Sequence, residues 1–93
     1  MKLTWDSSFK RAFKRRTRNQ VELQEKIFRV LEQLARDPFY PALRTHKLSG
    51  QLEGLWACWV EYDCRIVFAF TQHPETGEDV IALIDIGTHD EVY

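Results

Sequence analysis

The sequence predicts an α+β domain in which an N-terminal helical hairpin packs on a mainly antiparallel four-stranded sheet, in the order β-α-α-β-β-β. Three observations carry this expectation. Between residues 9 and 34, apolar side chains recur at three- and four-residue spacing, as on helices. From residue 55 onward they fall into short strand-like runs, broken near residues 62–64 and 73–79. Between these halves, Pro38, Pro41, Gly50 and Gly54 mark a loop.

Each element has its own local reason. Residues 2–5 read as a short first strand. Asp6, Ser7 or Ser8 can cap the first helix, and Phe9, Ala12 and Phe13 then share one face. The opposite face is basic: Lys10, Arg11, Lys14, Arg15, Arg16 and Arg18. This helix should end near Thr17 or Arg18. Asn19 is the expected cap of the second helix, with Glu22 completing a capping box. Leu23, Ile27, Val30, Leu31 and Leu34 form its apolar stripe. Glu22–Lys26, Glu25–Arg29 and Glu32–Arg36 are i,i+4 pairs in the favourable orientation. Pro38 stops the helix at or just before Asp37. Residues 55–61 and 65–70 read as strands joined by a tight turn, and residues 80–86 as the last strand. Alternation puts Ile66, Phe68 and Phe70 toward the helices and Arg65, Val67 and Ala69 on the open face.

Composition narrows the functional classes. The 93 residues suffice for one domain spanning 1–93, and 44% hydrophobic content suffices for a core. No apolar run approaches the ~20 residues of a membrane-spanning helix. Met1 leads into Lys2-Leu3-Thr4-Trp5 without a signal-like apolar region, so a cytoplasmic location is expected. Two cysteines, Cys58 and Cys64, make neither a disulfide framework nor a four-ligand metal site, and both read as half-buried strand residues. The net charge is only −1 but unevenly distributed. Residues 1–50 hold 12 Lys/Arg against 5 Asp/Glu, whereas residues 51–93 hold 1 against 9. A basic half of this kind suits either a polyanionic partner such as nucleic acid or a solvated helix face.

The titratable groups that could do chemistry are spread along the chain. The loop offers Arg44, His46 and Lys47, the hairpin Glu61 and Asp63, and the strand after it Arg65. The last residues offer His89, Asp90, Glu91 and Tyr93. Such a set suits RNA cleavage in which a ribose 2′-OH attacks the adjacent phosphate. That reaction needs a base for the 2′-OH, an acid for the 5′-oxygen and a cation for the transition state. Two histidines and an arginine could supply all three. Each group also has a bland reading. Arg65 could pair with Glu61 or Asp63 across the hairpin, His73 could be a solvated loop residue, and Tyr93 could cap the core. Trp56 and Trp59 could pack the sheet or stack on bases.

Several blocks resemble one known family. They are His46-Lys47-Leu48-Ser49-Gly50, then Trp56, then residues 60–68 around Tyr62-Asp63-Cys64-Arg65, and finally Asp85-Ile86-Gly87-Thr88-His89-Asp90-Glu91-Val92-Tyr93. Together they resemble the RelE/ParE toxin superfamily, and within it the YafQ-like mRNA interferases of bacterial type II toxin–antitoxin pairs. The resemblance covers essentially the whole chain. It implies an endoribonuclease that cuts mRNA in the ribosomal A site without a metal. It also implies a RelB/DinJ-like antitoxin that blocks the site, and a toxin–antitoxin complex that binds operator DNA.

The resemblance maps functional positions onto His46, Asp63, His89 and Tyr93, with Arg65 at a phosphate-binding position. On chemical grounds His89 is then the acid, His46 or Asp63 the base, and Tyr93 a residue that stacks on or orients a base. Lys10, Arg11, Lys14, Arg15, Arg44, Lys47 and Trp59 are the expected RNA contacts. One departure stands out: Trp59 occupies a strand position where such toxins carry a further histidine. Trp59 cannot transfer a proton at neutral pH but can stack on RNA. Two other readings of the scaffold are a non-enzymatic ParE-like gyrase inhibitor and an inactivated homologue that only binds its antitoxin.

Overall fold

The computed structural model describes residues 1–88. Its elements are β1 (Lys2–Trp5), α1 (Ser7–Thr17), α2 (Val21–Arg36), β2 (His46–Lys47), β3 (Trp56–Glu61), β4 (Cys64–Gln72) and β5 (Asp79–Gly87). Single 3-10 turns at Pro41–Leu43 and Gly50–Leu52 flank β2. The sheet has the order β1-β5-β4-β3-β2. Every pairing is antiparallel except β1 with β5, which is parallel. The expected α+β architecture is present, with five strands where four were expected. The added strand is only two residues long, too short to show any periodicity, and pairs through His46 and Lys47 with Ala57 and Trp56. Among the described residues, no helix is long and apolar enough to cross a membrane.

The apolar stripes bury as their spacing requires. Phe9 and Ala12 of α1, and Ile27, Leu31 and Leu34 of α2, enter one core with Cys58, Ile66, Phe68, Ile81, Leu83 and Ile86 of the sheet. Ile66, Phe68 and Phe70 therefore face the helices, as their alternation indicates. Trp5, Phe9, Phe13 and Phe28 form an aromatic cluster beside this core, with Trp5 and Phe9 edge to face at 4.9 Å.

The helix junction differs from the expected capping box. Asn19 is not the cap: it takes a left-handed φ of 58° and closes the interhelical turn, leaving Gln20 at the N-cap without a side-chain cap bond. Asparagine tolerates this conformation better than most residues. Buried Thr17 locks the junction instead. Its hydroxyl donates to the Phe13 carbonyl at 2.6 Å, and Gln24 Nε2 donates to Thr17 Oγ1 at 3.2 Å. Lys26, expected to pair with Glu22, reaches across to Glu61 of β3 at 3.1 Å.

Cys58 and Cys64 are buried thiols, deeper than the half-buried positions expected. Burial, reinforced by Cys64, pushes the Cys58 thiol up to about 12. Burial and the nearby Glu61 carboxylate push Cys64 up to about 11. The unfolded chain releases these protons at lower pH, near the ordinary thiol value of about 8.5. Above that value the unfolded state binds fewer protons than the folded one, so stability should fall as pH rises toward 11–12. Urea unfolding at roughly pH 7.5 and pH 10 should show the fall, and Cys58→Val should flatten part of it. An identical fall in Cys58→Val would remove this thiol as a cause. Separately, Phe68→Ala should cost about 3–5 kcal/mol in the same assay, because the fully buried ring leaves a cavity.

Candidate functional site

The sheet face away from the helices is only partly open. Residues 46–55 fold over it and bury Leu48 against Ala57 and Val67, with Leu52, Leu55 and Ile84 alongside. A β-bulge between Val67 and Phe68 sets Val67 opposite Asp85 and Phe68 opposite Leu83. One row across the sheet is therefore His46, Ala57, Val67 and Asp85. The row two residues nearer the hairpin turn is Trp59, Arg65 and Gly87. Cross-strand partners share a face, so His46, Trp59 and Arg65 are all based on this side. Strand spacings put the backbones of His46 and Arg65 ~12 Å apart.

His46 lies on β2 and not in a structureless loop. Its Nδ1 is 2.9 Å from the Arg44 carbonyl. A carbonyl can only accept, so Nδ1 carries the proton and Nε2, which is buried, is the basic nitrogen of the neutral ring. Arg44 has a left-handed φ of 51°, and its guanidinium lies 5.0 Å from the Trp59 ring centre. Lys47 similarly lies 5.6 Å from the Trp56 ring centre. The segment carrying His46 is thus held on both sides by a cation over a tryptophan.

Arg65 is 8% exposed, and its hydrogen bonds go to backbone carbonyls rather than to Glu61 or Asp63, the carboxylates of the bland reading. Nη1 donates to the carbonyls of Glu61 at 2.6 Å and Tyr62 at 2.9 Å, with a longer contact to Cys64 at 3.3 Å. One nitrogen thus ties down the two-residue turn that carries Asp63, which is exposed. The reason is local. Arg65 stands inside a buried run, and the turn carbonyls are the polar groups within its reach. Nε and Nη2 make no hydrogen bond to other described residues. Arg65→Lys retains the charge but replaces the guanidinium fork with a single ammonium. It should cost about 1–3 kcal/mol in urea unfolding and raise amide exchange at residues 62–64. Unchanged stability and exchange would show that the guanidinium does not hold the turn.

The basic cluster of α1 divides between solvent and the sheet end. Lys10, Arg11 and Lys14 are exposed. Arg15 borders a small cleft with Val67, Ile84, Asp85 and Gly87, and the Arg16 charge acts on the Cys64 thiol. His73, read from sequence as a solvated loop residue, is half-buried and caps its own turn, with Nδ1 accepting from the Glu75 and Thr76 amides at 3.2 and 3.4 Å. His89 and Tyr93 lie outside the described residues. Arg65 pairs in register with Gly87, two positions before His89. Among the described residues, no group of three or more His, Cys, Asp or Glu side chains could hold a metal ion. Sequence reasoning missed a second cleft, between α2 and β3, where Arg29, Gln33 and Tyr40 meet Trp59. The spacing of Arg29 and Gln33 on one helix face was its only sequence signal.

Comparison with known proteins agrees with this architecture. The family model described as bacterial toxin of type II toxin–antitoxin system, YafQ, matches residues 1–93. Among solved structures, a YoeB/ParE toxin from Agrobacterium tumefaciens is 24% identical, with a TM-score of 0.75 over 96% of this chain and 99% of that one. YafQ from E. coli strain BL21(DE3) is 15% identical, with a TM-score of 0.75 over 98% of this chain and 96% of that one. A chain of the E. coli DinJ–YafQ toxin–antitoxin complex is 16% identical, with a TM-score of 0.73 over 98% of this chain and 94% of that one. These structural likenesses speak to the fold alone. No curated protein matches by sequence. The match over the full length, on this fold, establishes that the chain belongs to the YafQ family of bacterial type II toxin–antitoxin toxins.

Proposed function

We propose that this toxin is a ribosome-dependent endoribonuclease that cuts mRNA in the A site by metal-independent acid–base chemistry. The observation that carries the reading is the oriented His46 ring. With Nδ1 donating to the Arg44 carbonyl, Nε2 is a proton acceptor on the same sheet face as Arg65. A base whose second nitrogen is held by a carbonyl is poised in one tautomer.

In the reaction we assign, His46 Nε2 takes the proton of a ribose 2′-OH. The 2′-oxygen attacks the adjacent phosphorus and forms a 2′,3′-cyclic phosphate. The P–O5′ bond breaks, and His89 gives its proton to the departing 5′-oxygen. Arg65, through Nε and Nη2, stabilises the extra negative charge on the phosphoryl oxygens. Asp63 is the alternative base, on the turn that Arg65 holds. Tyr93 orients a base, and Lys10, Arg11, Lys14, Arg15, Arg44, Lys47 and Trp59 contact RNA. Because Nε2 is buried, RNA entry must expose it for the step to proceed. The neighbouring DinJ–YafQ complex supports a DinJ-like antitoxin as the partner that silences this toxin. Binding of operator DNA by such a complex, and a cytoplasmic location, belong to the same proposal.

Primer extension on mRNA in programmed ribosomes tests the scheme. The wild-type chain should cut within codons and leave a 2′,3′-cyclic phosphate and a 5′-hydroxyl. His46→Ala and His89→Ala should each slow cleavage by about 10²–10⁴-fold while leaving the fold intact. Cleavage at the wild-type rate in both variants overturns the acid–base assignment. DNA damage on induction without mRNA cleavage would favour a gyrase inhibitor. Harmless overexpression without an antitoxin would favour an inactive homologue.

A further inference from the structure

The cleft between α2 and β3 encloses about 330 Å³ and is walled by Lys26, Arg29 and Gln33 of α2, Tyr40 of the following loop, and Trp59 and Val60 of β3. That volume falls at the small end of the ~300–1,000 Å³ of small-ligand pockets. We infer that this cleft binds one unpaired nucleobase of single-stranded RNA, with Trp59 as its stacking surface. The inference rests on the proposal that RNA is the substrate, and adds a subsite to it.

The chemistry of the walls favours a nucleobase. A base is flat, with apolar faces and polar edges. Tyr40, 45% exposed, lines the cleft together with Trp59, which stands at the edge of β3 beyond the last residue paired with β2. The Gln33 amide both donates and accepts, which suits a base edge. Cations rim the cleft where neighbouring phosphates would run. Arg29 is exposed on α2 and lines the cleft; Arg44 is not in its wall but lies 5.0 Å from the Trp59 ring centre. Lys26 is partly neutralised by Glu61 and is the weakest of the three. Aromatic platforms beside cations are how proteins hold single strands, at about 1–3 kcal/mol per stacked base.

A peptide adding a strand to β3 is the competing occupant. β2 pairs only with Trp56 and Ala57, leaving residues 58–61 without a strand partner on that side. The turn Pro41–Leu43 packs against β3, however, and buries Leu43. That edge is therefore covered along Pro41–Leu43, where an added strand would have to lie. Trp59 is also the register partner of Arg65, so a base held here sits beside the phosphate site proposed above.

The test measures RNA binding apart from cleavage. Fluorescence anisotropy with short labelled oligoadenylate and oligouridylate should give an affinity roughly 5- to 150-fold weaker for Trp59→Ala. Trp59→Phe should stay closer to wild type. Arg29→Ala should weaken binding and lower the salt slope by about one phosphate contact. Gln33→Ala should change the ratio between the two oligonucleotides. On the wild-type chain, oligonucleotide addition should shift the NMR signals of Gln33 and the Trp59 indole. This holds the inference to account even if Trp59→Ala fails to fold. Wild-type affinity in Trp59→Ala and Arg29→Ala, or shifts at Gln33 with an acidic peptide but not with RNA, overturns the subsite. Cleavage that persists with Trp59-independent binding sinks the subsite and leaves the nuclease. Trp59-dependent binding without cleavage does the reverse.

Discussion

The central constraint on this molecule is a charge that must be satisfied inside the sheet. Residues 64–68 of β4 are all buried, and Arg65 is among them. An unpaired guanidinium there would cost several kcal/mol. Among the described residues, its Nη1 is met by backbone carbonyls of the β3–β4 turn rather than by a carboxylate. The arginine that the core tolerates only by binding the turn also fixes the turn that displays Asp63. Because β4 hydrogen-bonds to β3 on one side and β5 on the other, the same strand sets the position of Trp59 and of Gly87.

A second constraint comes from the segment that covers the far face. Leu48 needs burial and finds it against Ala57 and Val67. Its docking pulls His46 and Lys47 into register with β3 and converts a loop into a strand. His46 thereby gains a fixed ring, oriented by the Arg44 carbonyl. The arginine that supplies this carbonyl sends its own side chain onto Trp59. Packing, tautomer and the cation–aromatic pair are thus consequences of one apolar anchor. Trp59, the ring that takes this cation, is also the register partner of Arg65.

Charge follows the same logic of placement. The last turn of α1 carries Lys14, Arg15 and Arg16, where cations favour the helix dipole. That turn lies toward the hairpin end of the sheet, so a feature that helps the helix also supplies positive potential where strand ends gather acidic groups. The asymmetry between the basic and acidic halves of the sequence is partly cancelled in three dimensions, as the Lys26–Glu61 pair illustrates.

Much of the fold was legible in the sequence because its signals are periodic and local. Phe9, Ala12, Ile27, Leu31 and Leu34 bury through helical spacing, and Ile66, Phe68 and Phe70 through strand alternation. The Tyr62-Asp63 turn and the stop before Pro38 are equally local. The family blocks around His46, Asp63 and Arg65 named the region of the candidate site. Tertiary structure alone decided the rest. A two-residue strand has no period to read, so the place of His46 depends on where Leu48 finds a cavity. The partners of Arg65 depend on which acceptors a buried guanidinium can reach. The cleft of Arg29, Gln33, Tyr40 and Trp59 joins residues up to thirty positions apart, and only the packing of α2 against β3 makes them neighbours. Local pattern sets which residues turn inward, and long-range packing sets which of them meet.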